Sequence, residues 1–268
     1  MWLDTHCHLD ADEFDGDRAE VVARARAGGV SMMVLPGVHV DHFAKAAAVA
    51  REFDLAYALG LHPLWLERAT EDDLERLRVA ARAALVDPRF VAIGEIGLDF
   101  FVAGFDRERQ EWFYRAQLQI ARELDLPVIV HVRRSADALL KHLRRIEVPG
   151  GIVHAFNGSE VQAQAMAARG MRLGFGGAMT YDGSRRIRQF AATLADDEWV
   201  LETDAPDIPP QWLRDGATVR RNEPAELPRI AETMCALRGR PANEIAASNW
   251  RNAQAALPRL ARLMSPAS

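Results

Sequence analysis

Short apolar runs alternate with helix-period stretches along nearly the whole chain. The runs fall at 2–8, 32–36, 55–62, 90–96, 127–132, 151–155, 171–175 and 199–204. Val128-Ile129-Val130 and Met32-Met33-Val34-Leu35 are apolar at every position, as in strands buried on both faces. Between the runs, apolar residues step by three and four. Phe43, Ala46, Ala50 and Phe53 do so, as do Leu74, Leu77, Ala81 and Leu85, and Phe113, Ala116, Ile120 and Leu124. That spacing predicts amphipathic helices. Gly28-Gly29 and Gly170 precede the second and seventh runs, where helices are expected to stop. A Pro-rich loop (Pro206, Pro209, Pro210) follows the eighth run, and then further helical stretches, with Leu227, Ile230, Met234 and Leu237 on one face.

Strand and helix alternating eight times predict a parallel sheet. Eight strands predict its closure into a (β/α)8 TIM barrel, here with additional C-terminal helices. An open doubly wound sheet is the competing architecture. Its dinucleotide-binding form is disfavoured, because no G-x-G-x-x-G follows the first strand. No linker breaks the pattern, so residues 1–268 are expected to form a single barrel domain.

Composition narrows the function. The 268 residues are 49% hydrophobic and 26% charged, which excludes disordered and fibrous chains. A net charge of −5 argues against a surface that coats nucleic acid broadly, but not against a local phosphate site. The two cysteines, Cys7 and Cys235, make no disulfide framework and favour a reducing cytoplasm. Neither a signal peptide nor a membrane span is expected. A monomer without an obligate protein partner is the default expectation.

The chemistry lies at the strand ends. The first run ends His6-Cys7-His8. Residues i and i+2 of a strand share a face, so both imidazoles can hold one cation while Cys7 turns into the core. His62, His131 and His154 end the third, fifth and sixth runs, and Glu95 and Asp204 close the fourth and eighth. In a barrel those ends meet on one face, where active sites sit. Imidazole and carboxylate donors without thiolate suit Zn, Mn, Fe, Ni or Co; Mg alone would want more oxygen. Donors at six of the eight strand ends exceed the needs of one tetrahedral ion with an open position. They suffice for two divalent metal ions about 3.5–4 Å apart that share a carboxylate and a water.

Several motifs point the same way: Asp4-Thr5-His6-Cys7-His8-Leu9-Asp10, Gly60-Leu61-His62-Pro63, Gly94-Glu95-Ile96-Gly97-Leu98-Asp99, His131 with Arg133, His154-Ala155-Phe156-Asn157-Gly158-Ser159, Glu202-Thr203-Asp204-Ala205-Pro206 and Arg221-Asn222-Glu223-Pro224. In this order, over nearly the whole chain, they resemble the TatD-type metal-dependent hydrolases. The resemblance implies an amidohydrolase-like barrel with metal-dependent deoxyribonuclease activity. It implies that His6, His8 and Asp204 bind the first ion, that Glu95 bridges to the second, and that His131 and His154 complete the second. Two departures bear on substrate preference: Phe100-Phe101 stands where an aromatic with a hydroxyl is common, and Leu64-Trp65 follows Pro63 in place of a further histidine.

The expected substrate is DNA or a short oligonucleotide. Asp204 is the candidate to orient the attacking water and take its proton, with Glu95 as the shared catalytic carboxylate. Arg133 and His62 are placed to touch a phosphate. Asn222 either touches substrate or fixes a loop. The amides of Gly174-Phe175-Gly176-Gly177 either approach a phosphate or form a plain turn. By alternation Asp4 and Glu202 lie one layer below the metal ligands, where hydrogen bonds to ligand imidazoles would orient the rings. Trp65, Phe100, Phe101 and Trp212 either stack unpaired bases or seal loops. A narrow barrel mouth favours a single-stranded end, and so 3′-exonuclease or short-oligonucleotide hydrolysis. The rival function is hydrolysis of an amide or ester, such as an aminoacyl ester or cyclic amide, at the same two metals. A carbamylated-lysine bridge is excluded from that rival, since Lys45 and Lys141, the only lysines, both fall in helical patterns. A binding module with a vestigial site is the non-enzymatic alternative.

Overall fold

The computed structural model describes residues 1–216 and 218–263. Eight strands follow one another in chain order around a barrel: β1 (Trp2–Asp4), β2 (Val30–Pro36), β3 (Ala56–Leu59), β4 (Phe90–Asp99), β5 (Val128–Arg133), β6 (Gly151–His154), β7 (Met171–Phe175) and β8 (Trp199–Leu201). Each pairs with the next in parallel. At the seam between β1 and β8, the Thr5 amide donates to the Leu201 carbonyl at 3.1 Å and the Asp204 amide to the His6 carbonyl at 2.8 Å. The barrel expectation therefore holds, and the open sheet does not.

Helices α1 (Arg18–Ala27), α2 (Phe43–Glu52), α3 (Glu71–Ala84), α4 (Arg107–Glu123), α5 (Ala136–Leu143), α6 (Glu160–Ala167), α7 (Arg185–Thr193) and α8 (Leu227–Arg238) alternate with the strands. Their starts are chemically marked. Thr70 and Asp73 form a reciprocal capping box on α3, Ser159 and Gln162 another on α6, and Asp106 accepts two amides at the start of α4. Each satisfies amides that the first turn leaves unpaired. Among the described residues, no helix is long and apolar enough to cross a membrane.

The apolar side chains sort into two layers. Leu3, Met32, Val34, Ile129, Ile152 and Val200 fill the barrel interior. The other strand faces pack against the helices, as with Met33, Leu35, Val130 and Leu173. Cys7 is wholly buried in this outer layer, as alternation predicts. The two C-terminal helices, α9 (Ala242–Ala256) and α10 (Leu260–Leu263), close the end of the barrel away from the motif residues. Ala253, Leu257 and Leu260 join the interior cluster, and Arg259 donates to the carbonyls of Leu85 and Asp87, just before β4. Asn249 of α9 spans the seam, donating to Leu3 O and accepting from Leu201 N at 2.7 Å each.

The strand limits differ from the apolar runs. β1, β3 and β8 stop at Asp4, Leu59 and Leu201, so His6, His8, His62 and Asp204 stand on the loops just beyond. β4 instead continues through Glu95 to Asp99, because Gly97, Leu98 and Asp99 still pair with His131, Val132 and Arg133. Gly97 does not break the strand. Its φ of +144° and a Cβ position only 2.1 Å from the His131 carbonyl oxygen leave glycine as the residue that fits there.

Candidate metal centre

The expected ligand side chains converge at the C-terminal mouth of the barrel. Glu95 is at the centre and almost wholly buried. Its Oε2 lies 3.1 Å from His6 Nε2 and 3.4 Å from His8 Nε2. Its Oε1 lies 3.0 Å from His131 Nδ1 and 3.5 Å from His62 Nε2. One carboxylate thus faces two imidazole sets, one with each oxygen. Asp204 closes the other side, with Oδ1 3.5 Å from His6 Nε2 and 3.6 Å from His8 Nε2, and Oδ2 3.5 Å from His154 Nε2. Asp204 and Ala155 adopt left-handed backbone, with φ of +58° and +45°. That conformation is uncommon for residues with a Cβ, and such strain gathers at functional sites.

Neighbouring carboxylates set which ring nitrogen faces the cage. Glu202 Oε1 lies 2.9 Å from His154 Nδ1 and also accepts the Ala155 amide. Asp99 Oδ2 lies 3.0 Å from His131 Nε2. Each holds a proton on the outer nitrogen and leaves the inner lone pair for a cation. Glu202 therefore sits as alternation predicts. Asp99 was missed, although it lies four residues beyond Glu95 on β4, an even step and so the same face. Asp4 is a correction. Its carboxylate accepts from the backbone amides of His6 and Thr203 and from Thr203 Oγ1, and bonds no ligand imidazole. His6 Nδ1 is buried without a partner among the described residues.

The donor set suits divalent cations. His6 Nε2 and His8 Nε2 approach to 3.2 Å beside the carboxylates of Glu95 and Asp204, a cluster of lone pairs that a cation or protons must occupy. The ionisation states follow. Burial opposes charge on Glu95, yet the surrounding imidazoles of His6, His62 and His131 hold it well below the usual carboxylate range. Burial likewise opposes charge on His8, but the Glu95 carboxylate, with Asp204, outweighs it and pushes His8 up to about 9. His131 and His154 are raised by their carboxylates in the same way, against burial. Burial, reinforced by the nearby His154, lowers His6.

His62 differs in kind. Leu64 N donates to its Nδ1 at 3.2 Å, which leaves the proton on Nε2. Burial lowers its pKa, the first of several causes, so the ring is neutral. A neutral Nε2–H suits a carboxylate or phosphate oxygen rather than a cation. His154, expected beside His131, lies instead nearer the other pole: it stacks on His6 at 3.8 Å between centroids, against 6.2 Å to His131.

The profile of TatD-related DNases matches residues 3–258. The chain belongs to the TatD-related DNase family. An uncharacterized metal-dependent hydrolase, YjjV of Escherichia coli K12, is 40% identical over 247 residues, covering 91% of this chain and 93% of the relative. The 3′-5′ ssDNA/RNA exonuclease TatD of Cronobacter sakazakii is 36% identical, covering 88% and 90%. The crystal structure of E. coli YjjV superposes with a TM-score of 0.89 at 38% identity, covering 96% of this chain and 98% of that one.

Several residues of this TatD-family chain have structural work outside the cage. Asn222 is fully buried, donating to the carbonyls of Thr203 and Asp207 and accepting from Glu223 N. It fixes the loop after β8 and is closed to substrate, which corrects the expectation of a substrate contact. Arg221 pairs with Asp17 and Glu223, tying that loop to the start of α1. Trp212 donates its indole N–H to Glu226, and Trp65 packs edge-on against His42, so both seal loops. Phe100 is half-buried under Arg107. The glycine-rich segment serves close packing. A Cβ on Gly174 would lie 2.2 Å from Glu202 Oε2, and one on Gly177 2.1 Å from the Ile208 carbonyl oxygen. Arg133 is exposed at the end of β5, two residues beyond His131.

Proposed function

We propose that the protein is a divalent-metal-dependent hydrolase that cleaves phosphodiester bonds of DNA, removing nucleotides from single-stranded ends in the 3′ to 5′ direction. The observation that carries it is the pose of Glu95, with one oxygen toward His6 and His8 and the other toward His131. Two divalent cations held side by side would be served by such a shared carboxylate, and a pair of cations suits phosphodiester cleavage. Family membership and the 3′-5′ exonuclease named among the relatives support the substrate class and direction.

In this reading His6, His8 and Asp204 would hold one ion and His131 a second, with Glu95 shared between them and His154 nearer the first. Bound divalent ions would lower the pKa of an attacking water and neutralise charge on the phosphoryl oxygens. Asp204 is ionised, because the neighbouring His154, His6 and His8 outweigh its burial. It orients the water and accepts its proton as the new P–O bond forms and the ester P–O bond breaks, and the leaving oxygen departs as a hydroxyl by taking a proton from solvent. His62 Nε2–H donates to a phosphate oxygen, and the Arg133 guanidinium pairs with phosphate oxygens from the rim. The enzyme acts as a monomer in the cytoplasm, a location that the free thiols of Cys7 and Cys235 support.

The test is hydrolysis of end-labelled single-stranded oligonucleotides across a panel of divalent ions, with Glu95→Ala as control. Metal-dependent shortening from the 3′ end, lost in the variant and in EDTA, is expected. No cleavage with any ion, beside clear aminoacyl-ester or cyclic-amide turnover, would overturn it.

A further inference from the structure

Phe101 is 46% exposed and is the sole aromatic among the exposed large hydrophobic side chains of the described residues. It stands on the loop after β4, beside the cage. The Arg133 guanidinium carbon lies 3.8 Å from its ring centroid and that of Arg134 4.6 Å. Successive side chains of an extended strand diverge. Arg134 departs from extended backbone, with φ of +55°, and that turn lets both guanidiniums reach one ring. The conformation is costly for a residue with a Cβ.

Among the described residues neither arginine has a carboxylate partner; each guanidinium lies over the Phe101 ring instead. Two unpaired guanidiniums and an exposed ring are therefore gathered at the mouth of a chain whose net charge is −5. The group is also rigidly tied to the cage. Asp99 Oδ1 accepts the amides of Phe101 and Val102 at 2.8 and 3.1 Å, while Asp99 Oδ2 holds His131. The Phe100 amide donates to the Arg133 carbonyl at 2.8 Å. One carboxylate thus fixes both a metal-facing imidazole and the loop that carries Phe101.

Flat apolar rings and guanidinium planes accept the face of an unpaired base, and guanidinium forks match phosphate oxygens. We propose that Phe101, Arg133 and Arg134 form a platform that seats the base and phosphate of the nucleotide adjoining the one removed. This deepens the phosphodiesterase function proposed above and rests on it. The platform makes the enzyme selective for strands in which that adjoining base is present and unpaired.

The experiment compares two single-stranded DNA oligonucleotides, one intact and one with a tetrahydrofuran abasic residue at the penultimate 3′ position. Removal of the terminal nucleotide is followed for the wild type, Phe101→Ala, Phe101→Trp and Arg134→Ala. The abasic residue is expected to lower wild-type kcat/KM by about 5- to 150-fold, the range for one stacked base. Phe101→Ala should lose the same factor on the intact strand and nothing more on the abasic one, and Phe101→Trp should restore discrimination. Arg134→Ala should weaken binding of both strands equally and flatten the salt dependence by about one phosphate contact. Equal losses on both strands for Phe101→Ala, or no discrimination by the wild type, would overturn the platform while leaving phosphodiester cleavage intact. No cleavage of either strand by the wild type would overturn both.

Discussion

Asp99 and Glu95 hold His131 from opposite sides: Asp99 Oδ2 lies 3.0 Å from Nε2 and Glu95 Oε1 3.0 Å from Nδ1. The outer carboxylate fixes the proton on Nε2 and frees Nδ1 to bind a cation. Asp99→Asn is nearly isosteric, but its amide N–H would face Nε2 and drive the proton to Nδ1, the wrong tautomer. Metal affinity or activity should fall about 10- to 100-fold, read by metal titration and by oligonucleotide hydrolysis. Wild-type affinity in that variant would show that Asp99 does not set the tautomer.

Glu202→Gln should be milder than Asp99→Asn. Glu202 presents Oε1 alone to His154 and Ala155, while Oε2 has no partner among the described residues, so glutamine can keep its oxygen inward. Gly174→Ala reaches the same carboxylate from behind, since the new Cβ would meet Oε2 at 2.2 Å. Forcing the buried carboxylate aside should cost about 1–3 kcal/mol of stability and reduce activity more than Glu202→Gln does. Denaturant titration and kcat/KM for the two variants check that order.

Proton and metal compete for the same lone pairs. The carboxylates raise His8 to about 9, against the opposing effect of burial, and raise His131 and His154 as well. Below about pH 9 the His8 imidazole carries a proton that a cation must displace, so apparent metal affinity should rise with pH up to about pH 9. Calorimetry in two buffers of different ionisation enthalpy should show proton release on binding at pH 7. An affinity flat between pH 6 and pH 9 would contradict the raised imidazoles.

Asp4 gives a stability signature. Burial, only partly offset by hydrogen bonds from Thr203 and His6, pushes it up to about 7. The folded chain then holds a proton that the unfolded chain releases near the ordinary aspartate value, so stability falls as pH rises from about 4 through 7. Asp4→Asn removes that slope. Denaturant unfolding in EDTA should favour the variant over the wild type more at pH 8 than at pH 5; an equal difference at both would place Asp4 as an ordinary carboxylate.

Much of this was legible in the sequence for a physical reason. Barrel strands are buried on both faces, so Val128-Ile129-Val130 and its counterparts appear as unbroken apolar runs, and potential ligands stand where those runs end. His6, His8, Glu95, His131, His154 and Asp204 do meet at one mouth. What was hidden depends on atoms rather than residue types. Whether Asp4 or Asp99 supports an imidazole turns on which oxygen faces which nitrogen. Gly174 reads as a turn or phosphate-loop residue, yet its constraint is the close approach of the Glu202 side chain. Asn222 left two roles open because burial of a loop residue has no periodicity to reveal it.

Metal stoichiometry tests the shared role of Glu95 most directly. Mass-spectrometric analysis of the wild type reconstituted with Mn or Zn should find two ions per chain. Glu95→Ala should lose metal and with it at least roughly a thousandfold of oligonucleotide hydrolysis, the several kcal/mol such ions supply. One ion per chain in an active wild type, or unchanged hydrolysis by Glu95→Ala, would contradict a pair of cations bridged by this carboxylate.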